Sequence, residues 1–160
     1  MCGIFGLFSQ SPVKSDDVSV LAHHARQRGR DSSGLVFFNK GTIVADHITV
    51  YKSSGTGISI DNESNLTLRN SIVAGQTSGS SECGNFGGTL DIVNSLIESG
   101  NCGGDINGNP LLSDLAANGG STLTMALGHG SAAVNTADAQ YCGDNDQRGE
   151  PRNQYGACDL

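Results

Sequence analysis

Two stretches in the middle of the chain share one pattern of apolar and polar positions. Residues 66–74 (LTLRNSIVA) and 90–98 (LDIVNSLIE) align at an offset of 24 residues. In both, apolar and polar residues alternate, as in a strand with one buried face, and a short apolar run follows a shared Asn-Ser pair. The pattern predicts a β-rich repeat.

A repeat of this length, separated by turns rich in Gly, Ser and Asn, is typical of a parallel β-solenoid. Each coil of such a fold lays one strand on the next and stacks like residues, so Asn70 and Asn94 are expected to form a ladder at one corner. Residues 57–60 resemble the start of an earlier copy of the repeat, but the match is too short to count. Two unrelated strands of a β-sandwich are the alternative interpretation.

The first 52 residues follow a different pattern. The apolar run at residues 4–8 predicts a buried strand, and Ser15 is placed to cap a helix whose apolar residues recur at helical spacing. Residues 35–38 and 42–45 predict two strands joined by a hairpin turn at residues 39–41. This part of the chain is therefore expected to be a small α+β segment.

Charge changes between these two parts. The chain has 160 residues and a formal net charge of -7. Residues 1–55 carry six Lys or Arg and four acidic residues, whereas residues 56–160 carry three Lys or Arg and twelve acidic residues. We place a linker at residues 53–57. The acidic balance argues against nucleic acid as a partner, and no apolar run is long enough for a membrane span. The absence of a signal peptide predicts a cytoplasmic protein.

Cys2 is the candidate catalytic residue. Removal of Met1 leaves Cys2 with a thiol and a free α-amine on adjacent carbons, and both groups titrate close enough to neutrality to exchange a proton. Cys2 is then a nucleophile that carries its own base. The alternative interpretation is a chance Cys followed by a core strand.

Residues 1–52 resemble the start of class II glutamine amidotransferases, on CGIFG at residues 2–6, the predicted helix, and RGRDSSG at residues 28–34. The resemblance implies an N-terminal-nucleophile hydrolase fold in which Cys2 attacks the side-chain amide of glutamine and ammonia is released. It also implies that Arg28 and Gly29 lie at the substrate. Glutamine is the partner that this site would bind.

The rest of that family's site is not found in the sequence. The family supplies a further Arg, an Asn-Gly pair that donates to the oxyanion, and an Asp that holds the substrate amine. Asn107-Gly108 and Asn118-Gly119 are interpreted as tight turns, because both lie among Gly, Asn and Pro. The hydrolase fold is therefore incomplete, and we expect the hybrid chain to be inactive as it stands, since one lost oxyanion donor costs about 10²–10³ in rate.

Cysteine spacing separates the two parts again. The four cysteines after the linker form near neighbours, Cys83 with Cys102 and Cys142 with Cys158, and Cys2 is left over. Such pairs are typical of an oxidising compartment, whereas glutamine amidotransferases work in the cytosol. The two parts therefore indicate different compartments.

Residues from about 57 to the end resemble the C-terminal end of choice-of-anchor Q proteins, a group of bacterial right-handed parallel β-helix proteins. The resemblance rests on a series of motifs in order: NPLL at 109–112, LAANGGST at 115–122, GSAAV at 130–134 and DQRGEPR at 146–152. It implies a secreted or cell-surface protein whose solenoid ends in a cap. A surface polysaccharide or a protein is the kind of ligand this implies, with its identity open.

Together these observations predict a mainly β chain. Residues 1–52 are the amidotransferase-like α+β fragment, residues 58–108 are coils of a truncated right-handed parallel β-helix, and residues 109–160 are its C-terminal cap. No cofactor or metal is expected, because the acidic residues Asp144, Asp146 and Glu150 match no calcium loop and indicate a solvated turn.

Three accounts of function stay open. The chain is a glutaminase whose missing residues come from the solenoid, a non-enzymatic β-helix for binding or surface display, or two joined reading frames of which neither is complete. The first account predicts ammonia release from glutamine, and the other two do not.

Overall fold

The alternating and apolar stretches form nine short strands in a computed structural model that describes residues 35–39, 42–62, 64–78, 80–152 and 157–160. The described part of the chain is mainly β, as predicted, with one 3₁₀ turn at Ala139–Tyr141. The strands are β1 (Leu35–Asn39), β2 (Thr42–Asp46), β3 (Thr49–Tyr51), β4 (Ile58–Asp61), β5 (Asn65–Arg69), β6 (Ile72–Ala74), β7 (Cys83–Phe86), β8 (Thr89–Val93) and β9 (Leu96–Ile97).

The strands form three sheets that the chain visits in turn. Sheet A has the order β1-β2-β5-β8, sheet B the order β3-β6-β9, and sheet C pairs β4 with β7. Within the described residues, every pair except β1 with β2 is parallel. From β2 onward the chain therefore passes through A, B and C, and each pass lies one strand further along the sheets.

The offset of 24 residues is confirmed by the register. Leu66 pairs with Leu90 in sheet A, and Ile72 pairs with Leu96 in sheet B. Asn70 and Asn94 therefore occupy equivalent positions between the two sheets. The turn from sheet A to sheet B therefore repeats, once at Asn70 and once at Asn94.

An earlier copy of the repeat exists, but it does not begin at the short match of residues 57–60. The earlier pass on sheets A and B is residues 42–51, because β2 pairs with β5 and β3 pairs with β6 at an offset of 23. Residues 58–61 lie instead in sheet C, against β7. The sequence pattern conceals this copy because His47-Ile48 stands where the later copies have Asn-Ser.

The hairpin predicted at residues 35–45 is confirmed. Strand β1 pairs antiparallel with β2, from Leu35 opposite Asp46 to Asn39 opposite Thr42, and so lies along the first edge of sheet A. Sheets A and B thus contain strands from both sides of the linker placed at residues 53–57. The predicted strand at residues 4–8 and the predicted helix after Ser15 lie outside the described residues.

Two groups of buried side chains hold the sheets. Leu68, Val73 and Ile97 are fully buried between the sheets, with Ala45 beside them. The second group, on the other side of sheet B, contains Ile72, Ala74, Leu96 and Ala133, with Leu112, Leu127 and Leu160 packed against it. Residues of the C-terminal part of the chain, 109–160, cover this face of sheet B, which is why all of β6 is buried.

The C-terminal part has little regular structure and is tied by cross-links. Isolated antiparallel bridges join Leu112 to Leu127 and Ala116 to Thr124. A disulfide joins Cys142 to Cys158 within this part, and a second joins Cys83 to Cys102 before it; these are the two pairs expected from spacing. Within the described ranges, no helix has the length and apolar character needed to cross a bilayer.

Candidate functional site

The predicted catalytic and substrate residues Cys2, Arg28 and Gly29 lie outside the described residues, so the glutaminase site stays a prediction. The two Asn-Gly pairs lie in irregular segments, Asn107-Gly108 just before the C-terminal part and Asn118-Gly119 within it. Gly108 and Gly119 have φ angles of 113° and 98°, in the region that favours glycine. Both observations support the turn interpretation of these pairs.

The outer face of sheet A carries rows of aligned polar side chains. Thr42, Asn65 and Thr89 are in register across β2, β5 and β8 and form the first row. The second row, two residues further along each strand, consists of the apolar Val44 and the polar Thr67 and Asp91. Because alternate residues of a strand face opposite sides, the apolar Leu66 and Leu68 between them point into the core.

These rows border a shallow groove of about 380 Å³. Its lining combines hydroxyl, amide and carboxylate groups with two leucines, and is made by Thr42, Asn65, Leu66, Thr67, Thr89, Leu90 and Asp91. Strand neighbours in a sheet are about 4.8 Å apart, so the groove presents polar groups at a regular spacing. We call this surface the sheet A face.

An ion pair closes one end of the sheet A face. Arg69 donates from Nε to Asp46 Oδ1 at 2.6 Å and from Nη2 to Asp46 Oδ2 at 2.7 Å, a bidentate pair. The guanidinium carbon lies 4.1 Å from the centroid of the Tyr141 ring. The hydrogen bonds to Asp46 raise the pKa of Arg69.

A segment of the C-terminal part crosses the corner between sheets A and B. His47, Asn70 and Asn94 turn the chain there with φ angles of 53°, 46° and 43°, a left-handed conformation that Asn and His adopt more readily than most residues. All three side chains hydrogen-bond to backbone groups of residues 136–141, which we call the strap.

The strap contacts the three passes in succession. His47 Nε2 lies 2.7 Å from the Tyr141 carbonyl oxygen, Asn70 Nδ2 lies 3.0 Å from that of Asp138, and Asn94 Nδ2 lies 3.5 Å from that of Thr136. Asn70 Oδ1 also accepts from the Asp138 N–H at 2.7 Å. Asn70 and Asn94 thus lie at equivalent positions between sheets A and B, and their amides bind the strap. The ladder between their side chains stays a prediction.

The stacked hydrogen bonds at this corner come from the serines that follow the asparagines. Ser71 Oγ accepts from the Ile48 N–H at 3.1 Å, and Ser95 Oγ accepts from the Ser71 N–H at 3.1 Å. Each hydroxyl therefore links one pass to the one before it. The Asn-Ser pair has two roles: Asn holds the strap, and Ser joins the coils.

The acidic turn near residue 146 is held by its own backbone. Asp146 Oδ1 accepts from the N–H groups of Arg148 at 2.7 Å and Glu150 at 3.1 Å. Burial acts to raise the pKa of Asp146, but these bonds and the Arg148 side chain outweigh it and lower that pKa. Among the residues that the structure describes, no three His, Cys, Asp or Glu side chains cluster as metal ligands.

No protein-family model, curated protein or solved structure matches this chain. The site is therefore argued from its own geometry. Sequence reasoning missed His47, Asp46 and Tyr141, which build the corner and the end of the sheet A face. Aligning residues 42–51 with 65–74 at an offset of 23 would have placed His47 at the position of Asn70.

Proposed function

We propose that residues 42–160 form a short right-handed parallel β-helix with a C-terminal cap, in a secreted or cell-surface protein that acts by binding. The observation that carries this is the register: parallel pairs on three successive sheets, with equivalent residues stacked at the corner. Such stacking is the defining contact of a solenoid. The choice-of-anchor Q resemblance supports the same fold.

The disulfides support an oxidising setting. Cys83 is joined to Cys102 and Cys142 to Cys158, and bonds of this kind persist in secreted and surface proteins. The Cys142–Cys158 bond lies directly after the strap and is buried, with residue exposures of 4% and 1%. A buried bond that anchors a cap is suited to a stable display module.

The sheet A face is the proposed binding surface, and a neutral polysaccharide is the proposed class of ligand. Its threonines offer hydroxyl groups that pair with sugar hydroxyls, and among the described residues that line the groove Asp91 is the charged one. The net charge of -7 disfavours a polyanion. An extended polymer fits better than a compact ligand because the polar groups repeat along the sheet.

The test is binding to neutral polysaccharides by the purified protein, with Thr67→Ala and Asp91→Ala as variants. Loss of one hydrogen bond of about 1 kcal/mol is expected to weaken binding about fivefold. Ser59→Ala is the matched control, because Ser59 is exposed on β4 in sheet C. Equal binding by all three variants would exclude the sheet A face.

A second function stays a prediction from the sequence motif around Cys2, with glutamine as substrate. Ammonia release from glutamine by the purified chain, abolished in Cys2→Ala, would favour the glutaminase account over the binding account. Ammonia at background level in both proteins would leave the resemblance as a sign of ancestry alone. The two assays can be judged separately, because the polysaccharide assay varies Thr67 and Asp91 whereas the ammonia assay varies Cys2.

A further inference from the structure

At one of the three corner positions that hold the strap, the side chain is a histidine, a residue type whose ordinary pKa is near neutral. At the second and third passes the corner residue is an asparagine, whose amide does not titrate. At the first pass it is His47, whose ring bonds the Tyr141 carbonyl oxygen. Histidine is the side chain whose ordinary pKa of about 6.5 lies in the physiological range.

The hydrogen bond fixes the tautomer of His47. A carbonyl oxygen only accepts, so Nε2 must carry the proton, and Nδ1 of the neutral ring is then a bare acceptor. Nδ1 is buried and has no hydrogen-bond partner among the described residues. Protonation would place a second N–H donor there, buried and unpaired, which costs free energy.

The charges around His47 also oppose a positive ring. Arg152 and Arg69 act against it, and Asp46 acts for it. Asp46 is already paired with Arg69 through two short hydrogen bonds. The hydrogen bond to the Tyr141 carbonyl oxygen favours the charged ring. Burial of the ring disfavours the charge and is the larger effect.

Burial lowers the pKa of His47, and Arg152 and Arg69 lower it further, against the opposing effects of the Tyr141 bond and Asp46. A folded-state pKa below the unfolded value of about 6.5 means that the unfolded state binds the proton more tightly. Stability from the neutral ring is therefore complete above about pH 6.5 and is lost as the pH falls from there toward the folded-state pKa.

We propose that His47 makes the strap a pH-sensitive latch: mild acid loosens residues 136–141 at the first pass and thereby opens the strap along the corner, including its bonds to Asn70, while the parallel strands stay paired. The strands keep their pairing because their ladder and the Ser71 and Ser95 bonds contain no titrating group. The latch does not depend on the proposed polysaccharide binding.

The decisive variant is His47→Asn, which gives the first pass the corner residue of the other two. Asn tolerates the left-handed backbone and its amide donates to a strap carbonyl, as Asn70 does, but it has no proton to gain. His129→Asn is the matched control, because His129 is exposed and lies outside the strap.

The readout is hydrogen exchange at the Asp138 N–H, whose acceptor is Asn70 Oδ1, corrected for the intrinsic effect of pH. Between about pH 7.5 and 5.5 we expect protection in the original protein and in His129→Asn to fall by up to about tenfold per pH unit, the limit for one proton. In His47→Asn we expect protection to stay constant. Protection that falls equally in His47→Asn would overturn the latch.

A direct titration covers the case in which His47→Asn does not fold. The imidazole signal of His47 in the full chain is followed by NMR against pH. A midpoint below about 6.5 is expected, and a midpoint at or above that value contradicts the proposal because no stability would then be lost on acidification.

Discussion

The repeating part of the chain, residues 42–98, and the C-terminal part, residues 109–160, are held together by different interactions. In the first, parallel strands pair backbone to backbone on three sheets, and the buried Leu68, Val73 and Ile97 fill the space between them. In the second, side chains bind backbone groups: Ser131 Oγ donates to the Pro110 carbonyl at 2.6 Å, and Asn118 Nδ2 donates to that of Thr124 at 2.8 Å.

The two parts are therefore ordered by different kinds of contact. A repeat is ordered by its neighbours, so each pass contributes to the next and damage to one pass is transmitted. The C-terminal part is ordered by separate local contacts, among them the Cys142–Cys158 bond within it, and by its attachment to the repeat through the strap. Substitutions in the two parts should therefore differ in size and in how far their effects spread.

The largest effect is expected from Leu68→Ala in the repeating part. Leu68 is fully buried and packs within the interior cluster, so its removal leaves a cavity that costs about 3–5 kcal/mol of unfolding free energy. Urea unfolding measures the loss. The control is Leu111→Ala in the C-terminal part, where Leu111 is 42% exposed and a loss below about 1 kcal/mol is expected. Similar losses in both variants would remove the distinction between the two parts.

The next effect is expected from the double substitution Cys142→Ser with Cys158→Ser. Closing 16 residues with a disulfide restricts the unfolded chain by about 3 kcal/mol. We expect a stability loss of that order, with hydrogen exchange rising in the strap and staying slow in β5 and β6.

The control for this pair is Cys83→Ser with Cys102→Ser. That bond closes a similar loop of 19 residues but joins β7 to the turn at residues 99–103, away from the strap. Its removal should lower stability by a similar amount and leave strap exchange unchanged. Fast strap exchange in both double variants would show that the strap depends on overall stability alone.

A smaller effect is expected from Ser71→Ala at the corner. The change leaves the Ile48 N–H without its acceptor in a partly buried setting, at a cost of about 1–2 kcal/mol. Ser113→Ala is the matched change in the C-terminal part, where Ser113 Oγ accepts from the Ala126 N–H at 2.8 Å but is exposed to water. There water replaces the lost acceptor, and a loss below about 0.5 kcal/mol is expected by urea unfolding. A larger loss in Ser113→Ala would reverse the comparison.

The structure of the repeating part could be predicted from the sequence better than that of the C-terminal part. The offset of 24 residues, the strands at 66–74 and 90–98 and the hairpin at 35–45 could all be predicted, because alternation and register are local properties. The pass at residues 42–51 was missed because His47 and Ile48 replace Asn and Ser. His adopts the left-handed backbone conformation at this position as Asn does. The backbone conformation therefore repeats although the residue types differ.

The candidate site could be predicted less well, for a physical reason. Thr42, Thr67 and Asp91 come together only through pairing across three passes. The strap contact joins His47 to Tyr141, which are 94 residues apart. Such tertiary contacts leave no periodic pattern in the sequence, and the two disulfides were accessible only because cysteine spacing gives a separate signal.

The smallest effect is expected where a surface ion pair joins the two parts. Lys52 Nζ lies 3.5 Å from Asp114 Oδ1, and their side chains are 60% and 97% exposed. Exposed pairs of this kind are screened by water and salt, so Lys52→Ala should change the free energy of unfolding by less than about 0.5 kcal/mol. The same result is expected at low and high salt, measured by urea unfolding. A loss above about 1 kcal/mol would mean that the two parts are joined by charge as well as by the strap and the apolar face of sheet B.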